Sequence, residues 1–445
     1  MEISINQYPV GVIAVFDQLE KAGFEGYLVG GCVRDLLLGK EPHDFDFAGN
    51  AVPEEILSVF KGYKTIRDGE KHGTIAVQSD GLWIEITTYR TESDYADFRH
   101  PTHVEFADDI RKDLARRDFT VNAMALSRDG NVIDLFGGKS DIEKRVIRCV
   151  GDPKERFTED ALRIMRALRF SAVLNFEIEK QTSNDLHRYG YLLKEIAVER
   201  ILTEFKILLL QADCGQLLRD YSDVLIQFIP ELAEIIGFEQ FNPHYEDDVY
   251  THSVKVTETV RADIALRLAA FLHDIAKPNV LSLDTHGNGT FIDHAEKGSI
   301  KVKEILTRLK IDKKTMELVC KLISLHEVEF PKTKPEMRRW MNRFQPEVLS
   351  LAMELQDADL RSHSTDQQLR LELINDSRKL LTQLINDKVC YSLKDLAING
   401  DDLIKLGYSG KNVGELLNHL LEEVIEERLE NDRESLIVSL KGAST

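Results

Sequence analysis

The pattern of apolar residues changes once along this 445-residue chain, near Thr158, and that change limits the folds open to it. Before it, short strand-like and helix-like runs alternate. Val10 to Ala22 predicts a helix, Gly26 to Val29 a strand, and Val33 to Leu38 a second helix. Phe45 to Ala48, Thr74 to Gln78 and Leu82 to Tyr89 predict strands, punctuated by turn signals at Asp68-Gly69 and Gly81. After it, apolar residues recur at three- and four-residue steps and helix formers dominate. The expected fold class is therefore α+β: a small mixed β-sheet head followed by a mostly α-helical neck, body and tail. The expected divisions fall at residues 1–150, 151–240, 241–375 and 376–445. Leu281 to Thr290 is expected to be a loop interrupting the helical part.

Composition narrows the class. At 43% hydrophobic and 30% charged residues, the chain is globular, not disordered. No run approaches the roughly 18 apolar residues of a membrane span, so no membrane partner is expected. Met1 to Val10 lacks the basic and apolar regions of a secretory signal. Five scattered cysteines form no Cys-x-x-Cys pair, which argues against a disulfide frame and for a reducing, cytoplasmic setting. The net charge of −19 argues at first sight against a nucleic-acid partner.

Two short motifs carry chemistry in the head. Tyr27 to Asp35 runs from an apolar strand through Gly30-Gly31 into a helix start with Arg34. Paired glycines let backbone N–H groups approach a phosphate, and a helix start favours negative charge. Nine residues on, Asp44 and Asp46 stand at i and i+2 of a strand and so share a face. Crowded carboxylates repel unless a cation lies between them, and oxygen ligands of this kind suit Mg²⁺. Glu85 sits in an otherwise apolar strand, Trp83 to Thr87. Three acids on neighbouring strands after a Gly-Gly turn suit two-metal phosphoryl transfer.

The combination Gly30-Gly31-x-Val33-Arg34-Asp35 and Asp44-x-Asp46 resembles the signature of the tRNA nucleotidyltransferase/poly(A) polymerase family, class II. Arg116 to Ala125 and Glu159-Asp160-Ala161-Leu162-Arg163 extend the likeness over about residues 10 to 175. The resemblance implies catalysis by Asp44, Asp46 and Glu85, with Mg²⁺ on Asp44 and Asp46. It implies phosphate contacts from Gly31, Arg34 and Arg117. In place of a template strand, Asp160 and Arg163 are implied to pair with the incoming base, with Arg166 and Arg169 in support. These four residues are spaced by three and are expected on one slowly rotating helix face. Thr91 to Pro101 resembles the flexible loop of enzymes that add the terminal A. Arg67 to Val77 lacks the Arg-rich segment of bacterial poly(A) polymerases, which demotes polyadenylation.

In the body, His252, His273-Asp274 and Asp359 resemble, in order, the metal ligands of the HD superfamily of phosphohydrolases, with His294 and His326 as extra candidates. A second divalent transition metal is implied there. Ala276 stands where that superfamily commonly has Gly. Gly400 to Lys411 resembles a tRNA-gripping tail segment, and the glutamates from Glu422 to Glu430 are expected to form a solvated acidic helix.

The expected activity is addition of CCA to the tRNA 3′ end from CTP and ATP, with no DNA partner. The alternatives are A addition alone, an HD-type phosphohydrolase acting on RNA ends, and a non-catalytic RNA-binding or regulatory protein. Residues 111 to 170 carry 14 Lys and Arg against 10 Asp and Glu, so the whole-chain charge hides a basic strip.

Overall fold

The computed structural model describes residues 8–95, 101–241, 246–363 and 367–442. Two compact units result, Met1–Pro230 and Glu231–Thr445. The first opens with α1 (Val10–Lys21), which buries Val12, Val15, Phe16 and Leu19 at three- and four-residue steps. There follow β1 (Gly26–Val29), α2 (Gly31–Leu37), β2 (Phe45–Gly49) and α3 (Pro53–Val59). Next come β3 (Lys64–Ile66), β4 (Thr74–Ser79), β5 (Leu82–Thr88), β6 (Arg90–Tyr95) and β7 (Pro101–Phe106). Helix α4 (Ile110–Ala115), strands β8 (Met124–Leu126) and β9 (Val132–Asp134) and helix α5 (Gly138–Lys144) complete the head.

Seven of these strands form one mixed sheet in the order β3-β4-β5-β2-β1-β8-β9. Only β2 and β5 run parallel. The two-residue turn joining β4 to β5 uses positive φ at both Asp80 and Gly81, the geometry that matches strand twist. Phe47 points into the core, where its ring meets Phe16 edge-on at 4.6 Å. Asp46, between Phe45 and Phe47, is thereby forced to the open face.

The helical remainder of this unit begins after β10 (Val146–Ile147), which pairs in parallel with β11 (Glu177–Ile178). Its helices are α6 (Pro153–Glu159), α7 (Leu162–Leu174), α8 (Lys180–Tyr189), α9 (Val198–Leu209), α10 (Cys214–Asp220) and α11 (Ser222–Leu225), and α7 packs along α9.

The second unit holds α12 (Val249–Thr259), α13 (Ile264–Leu272), the small hairpin β12 (Ser282–Leu283) and β13 (Gly289–Thr290), α14 (His294–Arg308) and α15 (Lys313–Leu325). It continues with α16 (Lys334–Phe344), α17 (Pro346–Arg361) and α18 (Gln368–Asn386), then α19 (Gly400–Lys405), α20 (Lys411–Ile425) and α21 (Arg433–Gly442). Helix α13 is buried from Ala265 to Leu272, so it is the central helix, packed against α12, α15 and α17.

The α+β class and the predicted strands are present, with four differences. Leu281 to Thr290 folds into the β12–β13 hairpin, because Asp284 accepts the N–H groups of His286 and Asn288 and closes the turn. Asp160 is not on α7: its backbone is extended (φ −136°, ψ 101°) and its carboxylate accepts the Leu162 N–H at 3.1 Å. The acidic helix is shorter than expected: α20 ends at Ile425, so Glu422 and Glu423 lie on it and Glu426, Glu427 and Glu430 follow it, with Arg339 paired to Glu422 and Glu426 and Arg428 to Glu423. Of the loop expected from Thr91 to Pro101, residues 91–95 and 101 lie in strands β6 and β7, and 96–100 fall outside the described residues.

Arg338, buried on α16, donates to the Cys390 carbonyl at 2.8 and 3.0 Å and to the Ile425 carbonyl at 3.3 Å. Arg338→Ala leaves both carbonyls short of partners and should cost about 3 kcal/mol. Urea unfolding followed by tryptophan fluorescence checks this.

Candidate active site and a buried histidine cluster

Strand pairing assembles the acids. Val29, the last residue before the Gly-Gly turn, is opposite Asp46 on β2, and Asp46 is in register with Glu85 on β5. The turn and two carboxylates therefore lie on adjacent strands, with Asp44 one residue before β2. Asp46 still meets solvent, yet the surrounding protein pushes its carboxyl up to about 6, with Glu85 and Asp44 adding to the rise and Arg117 opposing it. An acid held so far above its ordinary range, with other acids beside it, fits a divalent cation.

Beside these acids lies a cavity of about 470 Å³. It is lined by Gly30 and, of the residues expected at the site, by Gly31, Arg34, Asp46, Arg117, Asp160, Arg163 and Arg166, while Asp44 and Glu85 do not line it. Gly30 has φ +78°, and a Cβ there would stand 3.1 Å from Arg117 Nη1. Only glycine leaves that cradle open. Arg169, although expected to contact nucleotide, does not line the cavity. It is tied to Glu204 of α9, with its guanidinium 3.8 Å from the Phe170 ring centre.

The cavity cations are held in place by acceptors. Arg116 and Arg117 share fully buried Asp113 at 2.6 and 3.0 Å. Arg34 donates to Asp35 at 2.9 Å and to Asn122 at 2.7 Å. Arg163 donates to Glu159 at 2.7 Å and to the Arg116 carbonyl at 2.8 Å. Asp160 faces Arg200 of α9 at 3.5 Å, and Arg200 Nη1 is buried with no hydrogen-bond partner. Asp118 accepts from Arg166 at 2.5 and 2.9 Å and from Asn122 at 3.2 Å. Burial would raise the Asp118 carboxyl, but Arg166 outweighs it and the group falls to about 2.

Sequence reasoning did not single out Asp118, Asn122, Phe170, Arg200, His72 or Arg90. Asp118 and Asn122 stood inside a quoted motif. Arg200, 40 residues from Asp160, carried no local signal.

In the second unit, His252, His273, Asp274, His294, His326 and Asp359 are all buried and converge. His273, His294 and His326 each turn Nδ1 to a backbone carbonyl, of Ala270, Phe291 and Ile323, at 2.9, 2.7 and 2.6 Å. Their Nε2 atoms then face Asp274 at 3.1, 3.2 and 3.8 Å. His252 Nε2 lies 2.8 Å from Asp359 Oδ1. Burial, with His273 and His294 alongside, pushes His326 down to about 3, whereas Asp274 outweighs burial and lifts His273 to about 10 and His294 above its ordinary range. Asp274 also meets the buried Lys277 ammonium at 2.7 Å, so its carboxylate is the shared centre of the cluster. Carbonyl-anchored imidazoles converging with buried carboxylates fit a metal ion.

A mixed sheet bearing paired acids beside a Gly-Gly turn, with an arginine-lined cavity against a helix, defines a nucleotidyltransferase. Comparison with known proteins agrees. Residues 26–148 match the "Poly A polymerase head domain" model, 175–236 "Probable RNA and SrmB- binding site of polymerase A", and 290–440 a tRNA nucleotidyltransferase domain 2. The CCA-adding enzyme of Ligilactobacillus salivarius is 34% identical over 439 residues, 96% of this chain and 95% of that one. That of Pediococcus pentosaceus is 51% identical over 207 residues, 46% of this chain and 52% of its own. The crystal structure of the Bacillus stearothermophilus CCA-adding enzyme in complex with CTP superposes with a TM-score of 0.67 at 27% identity, covering 98% and 97% of the two chains. This chain belongs to the CCA-adding enzyme family.

Asp46 supplies a pH test. Its folded pKa of about 6 exceeds the ordinary 3.8, so its stability contribution is present below pH 4 and lost as pH rises through 6. Without metal, Asp46→Asn should therefore raise the melting temperature at pH 7.5 and not at pH 4. Transfer activity should fall at least about a hundredfold. Melting curves in EDTA and nucleotide incorporation check the two halves.

Proposed function

We infer that this protein adds CCA to the 3′ end of tRNA, taking CMP from CTP and AMP from ATP without a template strand. The carrying observation is the single cavity that holds the phosphate-type turn, a catalytic acid and the Asp160–Arg163 pair together. The RNA 3′-oxygen forms a bond to the α-phosphorus, the bond from that phosphorus to the bridging oxygen breaks, and pyrophosphate leaves. Asp44 and Asp46 would hold Mg²⁺, which when bound neutralises triphosphate charge and acidifies the attacking hydroxyl. Glu85 helps activate that hydroxyl. Gly31, Arg34 and Arg117 hold the phosphates.

Asp160 accepts from, and Arg163 donates to, the edge of the incoming base. Arg166 forms the wall behind them and Arg200 orients Asp160. Arg169, held by Glu204, supports the helix and not the nucleotide. No described helix is long and apolar enough to cross a membrane. Asp44→Ala should abolish incorporation of labelled CTP while leaving tRNA retention on filters within about twofold. Asp160→Ala should erode the preference for CTP and ATP over UTP and GTP more than it weakens triphosphate binding. Unchanged base preference would refute the reading role of Asp160.

The buried histidine cluster favours a second activity. His252, His273, Asp274 and Asp359, with His294 and His326, would bind a divalent transition metal suited to imidazole and hydrolyse phosphoesters, as an HD site does. After dialysis against Mn²⁺ or Ni²⁺, the protein should retain at least about one ion per chain, and His273→Ala should lose it. Metal-dependent phosphate release from 2′,3′-cyclic AMP should disappear in the same variant, with nucleotide transfer intact.

A further inference from the structure

The nucleotide cavity has one wall that the nucleotidyltransferase motifs do not explain. His72 and Arg90 line it together with Asp46 and Arg117. They come from different elements. His72 ends the turn Glu70–His72 before β4, and Arg90 is the first residue of β6.

Side chains at the root of the β6–β7 hairpin hold that turn from two sides. Arg90 and Phe106 are register partners, so they mark the hairpin base. Arg90 Nη1 donates to the His72 carbonyl. The Phe106 ring covers Gly73, where an added Cβ would come within 2.9 Å of Phe106 Cε1. Gly73 has φ +81°, a conformation costly for any other residue, so the fit of the ring over it depends on glycine. The Gly73 carbonyl accepts from Thr88 N at 2.8 Å, which pins the turn to the end of β5, the strand of Glu85. Phe106 itself is half-exposed and does not line the cavity.

We infer that the His72–Gly73 turn is a further nucleoside-triphosphate-facing wall and that Arg90 and Phe106 are positioning residues that set it from the hairpin base. Arg90 acts through its bond to the His72 carbonyl, which fixes where the turn stands against the cavity. Phe106 acts only through Gly73. Hairpin position and nucleotide affinity are then linked through one turn.

The inference rests on the transfer reading above, so the test uses binding as well as turnover. Affinity for CTP and ATP is measured by titration calorimetry on the full-length protein with Mg²⁺, beside melting temperature. Arg90→Ala should weaken both nucleotides about tenfold, Arg90→Lys less, and Phe106→Ala about threefold. The double variant Arg90→Ala/Phe106→Ala should bind no more weakly than Arg90→Ala, because both act through the same turn. Melting temperatures should stay within about 2 °C, since neither side chain fills the core. Wild-type affinity in Phe106→Ala, or independent, multiplying losses in the double variant, would overturn the inference. Tight nucleotide binding by a wild-type protein that adds no residue to tRNA would defeat the transfer reading and leave these comparisons decisive.

Discussion

The Asp118 carboxylate is the interaction on which the first unit depends. It sits nearly dry between the β-sheet head and helix α7, where a lone charge would cost several kcal/mol. Arg166 of α7 makes it tolerable with two hydrogen bonds, and the Phe119 N–H and the Asn122 amide supply two more. Asn122 in turn accepts from Arg34, the cation beside the Gly-Gly turn. A continuous run of polar contacts, Arg166 to Asp118 to Asn122 to Arg34, thus joins helix α7 to the helix that follows the Gly-Gly turn across the cavity. Loss of Asp118 would leave Arg166 and Asn122 seeking partners, so the two helices stand or fall together.

Around that joint the cavity divides its charge unequally. Arg34, Arg116, Arg117, Arg163, Arg166 and Arg200 each have a carboxylate partner, so the positive field is set before nucleotide arrives. The clustered acids have the opposite arrangement. Asp46 stands in register with Glu85 and is pushed up to about 6 by burial and by Glu85, a repulsion that a bound cation would offset. Stability is surrendered where chemistry needs it and recovered at Asp118 and Asp113. A net charge of −19 is compatible with an RNA enzyme because these cations are concentrated and pre-positioned.

Much of this was readable in the chain. The strands bearing Asp46 and Glu85 announce themselves by alternating apolar residues, and the Gly-Gly turn by its glycines. What was not readable depended on distance or on competition. Asp160 looked like part of the next helix, but its carboxylate captures the Leu162 N–H and holds the backbone extended. Arg169 shares the spacing of Arg163 and Arg166, yet Glu204, 35 residues away, draws it off the cavity. Arg200 reaches Asp160 only because α9 packs on α7, and periodicity says nothing about which helices meet. The histidine cluster was legible as residue types in order, whereas the carbonyl anchors that aim each Nε2 belong to the fold.

The central claim is that one cavity selects first C, then C, then A for the same RNA end. It is tested most directly by incubating the purified protein with tRNA that lacks all three terminal nucleotides and resolving products at single-nucleotide resolution. The account predicts extension by two with CTP alone, by three with CTP and ATP together, and then arrest. Extension only of tRNA already ending in CC, or continued addition of A beyond the third position, would contradict it.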